Sequence, residues 1–251
     1  MDVIAGASPR QLARTAGVLY LVNIVLGAFG LGVVPAILVV SNMATTAHNI
    51  QTHELLYRLG LAAHVVVTVT NIPMALIFYE LFKVVNRRIA LLEVFFGLMA
   101  TAVEAAGLLS QFTTLVLLDG RTYANALPAP QLHALAYLPG DLSNIDYAIY
   151  GVFYGFDFIC VAYLVLKSTF LPRAIGVLLA IDALNYLAIG FTTMLAPGAA
   201  AHLGAWTGLP TIIAEGSLCL WLLVAGVDTG RWKEQASAAL KMRSAQVQEL
   251  A

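Results

Sequence analysis

Charged residues are scarce in this sequence. Only 11% of its 251 residues are Asp, Glu, Lys or Arg, against about a quarter in an ordinary soluble domain. Thirteen Lys and Arg residues nearly balance fourteen Asp and Glu residues, and the formal net charge is −1. The sequence therefore has no excess of positive charge that would attract nucleic acid, and we predict no nucleic-acid partner.

Cysteine and the common cofactor motifs are also sparse or missing. Two cysteines, Cys160 and Cys219, fall inside apolar runs and are interpreted as small apolar residues, so the sequence does not support a disulfide framework. The sequence contains no HExxH motif, no His/Cys cluster with ligand spacing, no Walker loop and no GxGxxG. We predict neither a metal nor a cofactor.

Apolar residues are abundant. They make up 60% of the chain, the mean hydropathy is +0.85, and most of them lie in runs of about 18 to 25 residues, the length that crosses ~30 Å of hydrocarbon. Lipid offers no partner for backbone groups, and the alternating pattern of a membrane barrel is absent, so each run must be helical. The pattern predicts a membrane protein.

We predict an all-α, polytopic bundle of six transmembrane helices. Residues 1–227 form the transmembrane domain and residues 228–251 a cytoplasmic helical tail. The third connection, on the outer side, contains a short interfacial helix at Gln131–Leu138, bounded by Pro139. The six predicted spans are residues 12–40, 57–81, 90–118, 146–166, 172–195 and 209–227.

The cations indicate the orientation of the six spans. Only Arg58 and Arg121 fall on the opposite side from the others, and Lys and Arg are retained on the cytoplasmic side of membrane proteins. This rule places both termini in the cytoplasm. The cations that share the predicted cytoplasmic side are Arg10, Arg14, Lys83, Arg87, Arg88, Lys167, Arg173, Arg231, Lys233, Lys241 and Arg243.

Four acidic residues lie at membrane depth, at a cost of about 2.5–3.5 kcal/mol for each acid at the centre of a span. No Lys or Arg lies at matching depth, so we expect some of these acids to be protonated. Glu80 and Glu93 lie near the cytoplasmic edge and are interpreted as solvated charges. The four candidate proton-exchanging or catalytic residues are Glu104, Asp157, Asp182 and Glu215.

Other polar residues recur at helical spacing with these acids. Lipid-facing polar groups are unfavourable, so the polar stripes are expected to face the bundle axis and converge on one site. Gly151 and Gly155 form a small-xxx-small pattern that we interpret as helix packing. The candidate ligand-binding residues are Asn23, His64, Asn71, Gln111, Tyr150, Tyr154, Asn185 and Tyr186.

Three kinds of function fit these residues. The first is binding or moving a small apolar or amphipathic molecule in an acid-lined intramembrane pocket, with one acid exchanging protons. The second is an enzyme acting on a lipid or isoprenoid, such as a metal-independent cyclase, with a protonated carboxyl as general acid and tyrosine faces stabilising a cation. The third is an accessory or sensor subunit whose polar groups only hold helices together. Membrane lipid is the expected surrounding partner in all three.

The order of several motifs resembles a bacterial membrane family catalogued as domain of unknown function 4386. The resemblance implies a six-helix architecture and a bacterial inner-membrane location, and it implies no established activity, cofactor or catalytic residue. The motifs that carry it are Arg14–Leu21, Tyr57–Gly60, Leu81–Arg87, Gly151–Gly155, Leu171–Leu178, and Glu215 followed by Leu220–Leu223.

Overall fold

The fold is all-helical in a computed structural model that describes residues 8–119, 127–200, 202–203 and 205–250. Helix accounts for 91% of the structure, and these residues contain no strand. The all-α prediction is confirmed.

Seven helices longer than one turn lie within the described ranges. The first continues from an α-helical part, Pro9–Gly27, through a π-helical turn, Ala28–Val33, into Val34–Leu38. A one-turn helix, Pro197–Ala200, and a 3-10 turn, Ala205–Gly208, precede the sixth. The seven are α1 (Pro9–Leu38), α2 (Met43–Thr52), α3 (Glu54–Leu118), α4 (Ala129–Lys167), α5 (Arg173–Leu195), α6 (Leu209–Val224) and α7 (Thr229–Leu250).

Side-chain caps fix where the first two helices begin. Ser8 Oγ accepts a hydrogen bond from Gln11 N at 3.3 Å, and Gln11 Oε1 accepts one from Ser8 N at 2.9 Å, which is a complete capping box. Asn42 Oδ1 accepts from Thr45 N at 2.9 Å at the start of α2. These polar residues satisfy backbone N–H groups that have no partner within the helix.

The 65-residue helix α3 folds back on itself. At Asn86 the backbone is extended (φ −153°, ψ 104°), and the Asn86 side chain accepts hydrogen bonds from Arg88 N and Ile89 N, which begin the next helical segment. His64 and Glu104 are 40 residues apart yet in contact, whereas a straight helix would separate them by about 60 Å. The helix is therefore an antiparallel pair of arms, α3a (54–85) and α3b (87–118).

Five of the helical segments are long and apolar enough to cross a membrane. α3 is one of them, and its arms coincide with the second and third predicted spans. The long apolar helices make this a multi-pass membrane protein. The five segments are Pro9–Leu38, Glu54–Leu118, Ala129–Lys167, Arg173–Leu195 and Trp206–Val224.

Most of the cations gather at one end of the bundle, here called the basic end. Trp232 Nε1 of α7 donates to Leu81 O at 2.9 Å, and Arg14 Nη2 donates to Val224 O at 3.2 Å, so the beginning of α1, the α3 turn and the end of α6 meet there. Arg58 lies at the opposite end, paired with Glu54 at 2.6 Å. Arg121 lies outside the described residues.

The helix predicted at Gln131–Leu138 is present but is not a separate element. It forms the first turns of α4, which passes through Pro139 without a break. Leu132 and Ala136 are buried, and Thr114 Oγ1 of α3b donates to Ala136 O at 3.0 Å. The expectation of a short interfacial helix was wrong because neighbouring helices hold this segment in place, and a proline is tolerated inside a membrane helix under those conditions.

Glycines let α4 and α5 approach closely. A Cβ atom built on Gly155 would lie 3.1 Å from Ala183 O, and one built on Gly190 would lie 2.8 Å from Ala148 O. The packing interpretation of Gly151 and Gly155 is confirmed, because a side chain at Gly155 or Gly190 would force the helices apart.

Candidate functional site

A polar network connects α1 with both arms of α3. His64 Nε2 lies 2.7 Å from Glu104 Oε1, and Asn71 Nδ2 donates to Glu104 Oε2 at 3.3 Å. Asn23 Nδ2 donates to Asn71 Oδ1 at 2.7 Å, and Thr70 Oγ1 donates to Asn23 Oδ1. We call Asn23, His64, Thr70, Asn71 and Glu104 the hairpin network.

The hairpin network is well shielded. The side chains of His64 and Glu104 are 9% and 10% exposed. His64 and Asn71 are seven residues apart, so they occupy the same face of α3a. That face meets α3b at Glu104, where the network satisfies both carboxyl oxygens.

A second cluster surrounds Glu215 on α6. Tyr20 of α1 donates its hydroxyl to Glu215 Oε2 at 2.8 Å, and Tyr186 of α5 donates to Glu215 Oε1 at 3.0 Å. The two phenols thus hold the two oxygens of one carboxyl group. We call Tyr20, Tyr186 and Glu215 the Glu215 cluster.

Aromatic rings on α4 form a ladder beside the Glu215 cluster. Tyr147 and Tyr150 stack at 5.7 Å between ring centroids, and Tyr150 and Tyr154 stack at 5.0 Å. Tyr154 meets the edge of Tyr186 at 5.2 Å. Because Tyr186 donates to Glu215, the contact between Tyr154 and Tyr186 places one end of this tyrosine ladder against the Glu215 cluster.

Glu93 on α3b and Asp157 on α4 form a buried acid pair. The residues are 3% and 6% exposed, and Glu93 Oε2 and Asp157 Oδ1 have no hydrogen-bond partner. The interpretation of Glu93 as a solvated edge charge was therefore wrong. Glu93 lies seven residues beyond the turn at Asn86, about 10 Å along the helix, and its face packs inward, whereas Arg87 and Arg88 remain exposed.

Asp182 is the most deeply buried of the candidate acids, with 0% exposure. Its Oδ1 accepts from Thr211 at 2.7 Å, and its Oδ2 is buried without a partner. Its neighbour in the predicted stripe, Asn185, donates instead to Thr207 O at 3.0 Å.

The structure brings eight of the twelve sequence-predicted residues together, in two groups rather than around one point. Asn23, His64, Asn71 and Glu104 share the hairpin network, and Tyr150, Tyr154, Tyr186 and Glu215 share the ladder and its cluster. Gln111 belongs to neither group, and its backbone carbonyl accepts a hydrogen bond from the Tyr57 hydroxyl at 3.3 Å.

Sequence reasoning missed Tyr20 and Thr70 and misplaced Glu93. Tyr20 lies three residues before Asn23, and Glu93 lies eleven residues, about three turns, before Glu104. For Tyr20 and Glu93, helical spacing from the candidate residues Asn23 and Glu104 was therefore a usable signal. Among the described residues, no three His, Cys, Asp or Glu side chains form a group able to hold a metal ion.

One comparison with known proteins gave a match. A family model whose description is Domain of unknown function (DUF4386) matches residues 15–226, most of the chain. No curated protein and no solved structure matched this chain. The matched range includes every residue of the hairpin network, the Glu215 cluster, the tyrosine ladder and the buried acid pair.

Proposed function

Because this chain belongs to the family described as Domain of unknown function (DUF4386), which prescribes no activity, we propose a function from its geometry. The protein binds and moves a small amphipathic molecule within the membrane. His64 and Glu104 exchange the proton that couples or gates this movement.

The proposal includes a topology. Each arm of α3 is one span, so the five long apolar segments supply six crossings. The basic end faces the cytoplasm of a bacterial inner membrane, because Lys and Arg are retained on that side. Residues 1–227 then form the transmembrane domain, and both termini, with the tail at 228–251, are cytoplasmic.

The contact between His64 and Glu104 is the observation that carries the proposed function. The other ion pairs of the described residues join neighbours three or four positions apart in one helix, and they are far more exposed. Asp, Glu and His chains form the proton relays of membrane pumps and transporters. A shielded His–Glu contact between two spans suits proton exchange better than adhesion.

The remaining candidate residues support ligand binding. Glu215 is held by two tyrosine hydroxyls, and the tyrosine ladder offers amphipathic surfaces with apolar rings and polar tips. Asp157 and Asp182 each retain an oxygen without a protein partner. Unsatisfied buried oxygens are costly, so a ligand that donates hydrogen bonds to them gains affinity.

The Glu215 cluster also favours an alternative function. A carboxyl group beside stacked tyrosine rings is suited to protonate an isoprenoid or lipid and to stabilise the resulting cation by the ring faces. In that case Glu215 is the general acid, and the ladder of Tyr150 and Tyr154 lines the reaction site.

The test examines small molecules that co-purify with the full chain. Mass spectrometry of extracts from the purified protein is expected to find an amphiphile with the wild type and none with Glu104→Gln, a nearly isosteric change. Glu54→Gln, which removes an exposed acid, is the matched control and is expected to retain the molecule. A Glu104→Gln protein that keeps the molecule but melts at a lower temperature would show that the network only joins helices.

Lipid extracts of cells with and without the gene separate the two functions. An unchanged set of masses with an altered distribution supports transport. A new product mass that disappears with Glu215→Gln supports the enzyme instead.

A further inference from the structure

The buried acid pair lacks hydrogen-bond partners for two of its carboxyl oxygens. Glu93 and Asp157 come from different helices, and each has an oxygen that is buried without a hydrogen-bond partner. No ion pair among the described residues involves either acid. Polar groups buried in a protein are nearly always satisfied, so two orphan carboxyl oxygens at one interface require an explanation.

The two carboxyl groups lie at one helix interface. A Cβ atom built on Gly97 would lie 3.6 Å from Asp157 Oδ1 and 3.9 Å from its Oδ2. Gly97 is one helical turn beyond Glu93, so Asp157 points at the face of α3b that carries Glu93.

We propose that the buried acid pair binds the protonated amine head of the transported molecule, which makes the substrate class an amphipathic amine. This inference rests on the proposed function. An ammonium group offers three N–H donors and no acceptor, which matches the oxygens of an ionised carboxyl group and the carbonyl oxygen of a protonated one. With one carboxyl ionised and the other protonated, the occupied site carries no net charge.

An inorganic divalent cation fits the site less well. Calcium takes six to eight oxygen ligands, whereas the described residues contain no metal-binding group of three acidic, His or Cys side chains. An ammonium group needs no more acceptors than two carboxyl groups provide.

The surroundings suit the rest of such a molecule. Tyr154 lies three residues before Asp157 on the same face of α4, and its ring stacks on Tyr150 at 5.0 Å. A ring face attracts the positively charged end of an alkylamine and packs against its methylene groups. Tyr154 also meets the edge of Tyr186 at 5.2 Å, and Tyr186 donates to Glu215, so the amine site adjoins the Glu215 cluster.

Binding of two probes with equal chain length tests the amine assignment. Octylamine, which is protonated at pH 7, and octanol are titrated into the purified full chain, and binding is measured by calorimetry and by the shift in melting temperature. We expect octylammonium to bind at least tenfold more tightly than octanol. Glu93→Gln and Asp157→Asn are each expected to weaken octylammonium binding by roughly tenfold or more, the effect of losing a charged hydrogen bond, and to leave octanol unchanged.

Two further variants serve as a control for the loss of an acid and as a second test of the site. Glu80→Gln removes an acid that is paired with Lys83 and is expected to bind octylammonium as the wild type does. Gly97→Ala keeps both acids and adds a methyl group beside Asp157, so weaker octylammonium binding in this variant places the bound amine at this face of α3b even if an acid variant fails to fold.

The possible failures are distinguishable. Equal binding of octanol and octylammonium, with both lost in Glu104→Gln, overturns the amine assignment and leaves the proposed function standing. Tight octylammonium binding that depends on Glu93 and Asp157, together with unchanged co-purification in Glu104→Gln, supports the amine site and overturns the proton-exchange role. Stabilisation by sodium or potassium chloride that competes with octylammonium shows an inorganic cation site instead.

Discussion

His64 and Glu104 lie 40 residues apart in the sequence, yet their side chains approach to 2.7 Å across the two arms of α3. The contact joins the two arms of the α3 hairpin. Because Asn71 binds the other oxygen of Glu104 at 3.3 Å, and Asn23 of α1 binds Asn71, this one contact also orders the packing of α1 on the hairpin.

His64→Ala is expected to destabilise the bundle by about 1–2 kcal/mol. The change removes an interhelical hydrogen bond, leaves one oxygen of Glu104 without its partner and opens a small cavity. Unfolding in mixed detergent micelles, followed by tryptophan fluorescence, measures the free energy. His48→Ala, at an exposed position on α2, is the control and is expected to change the free energy by less than about 0.5 kcal/mol. Equal effects of the two substitutions would contradict a role of this contact in stability.

Tyr20→Phe and Tyr186→Phe are each expected to cost about 0.5–1.5 kcal/mol, because each removes one hydroxyl donated to Glu215. The double variant is expected to lose more than the sum, since the carboxyl group then has neither phenol. The same unfolding measurement gives the coupling energy. Tyr163→Phe, at an exposed position, is the matched control. Strictly additive losses would mean that the two hydroxyls do not share Glu215.

The fold was largely predictable from the sequence because lipid permits few alternatives. An apolar run of about 20 residues must become a helix, and the helices at Arg173–Leu195 and Leu209–Val224 begin and end close to the expected positions. Gln131–Leu138 shows the limit of this reasoning. Pro139 indicated a boundary, but contacts with α3b, which are not local in sequence, keep the helix continuous.

The sequence predicted which face of a helix a site residue occupies, but it did not predict which residue that side chain contacts. Helical spacing placed His64 and Asn71 on one face, which the structure confirms, but no local pattern specifies that Glu104 meets His64 while Glu215 meets Tyr20. Glu93 was misjudged because its distance from the cations in sequence is short. The packing of α3b on α4 decides which way the Glu93 side chain faces, and this packing cannot be derived from the local sequence.

Gly17→Ala is expected to destabilise the protein by about 1–3 kcal/mol through overpacking. A Cβ atom at this position would lie 2.7 Å from Leu223 N, so α1 and α6 must separate to admit it. Gly27→Ala is the matched control in the same helix, because nothing lies within 4 Å of its Cβ position. We expect this control to be neutral or slightly stabilising. Similar melting temperatures for both variants would contradict the close approach of α1 to α6.

The six-span topology predicts that single cysteines at His48 and Lys233 are accessible from opposite sides of the membrane. Five crossings separate the two positions if each arm of α3 spans the bilayer, and four separate them if α3 counts as one span. His48→Cys is therefore expected to react with a membrane-impermeant maleimide in intact spheroplasts, and Lys233→Cys only after the membrane is permeabilised. The wild type is the control, because Cys160 and Cys219 are buried and should give no labelling. Labelling of both positions from the same side would contradict the six-span count, and the reverse pattern would retain six spans but place both termini outside the cytoplasm.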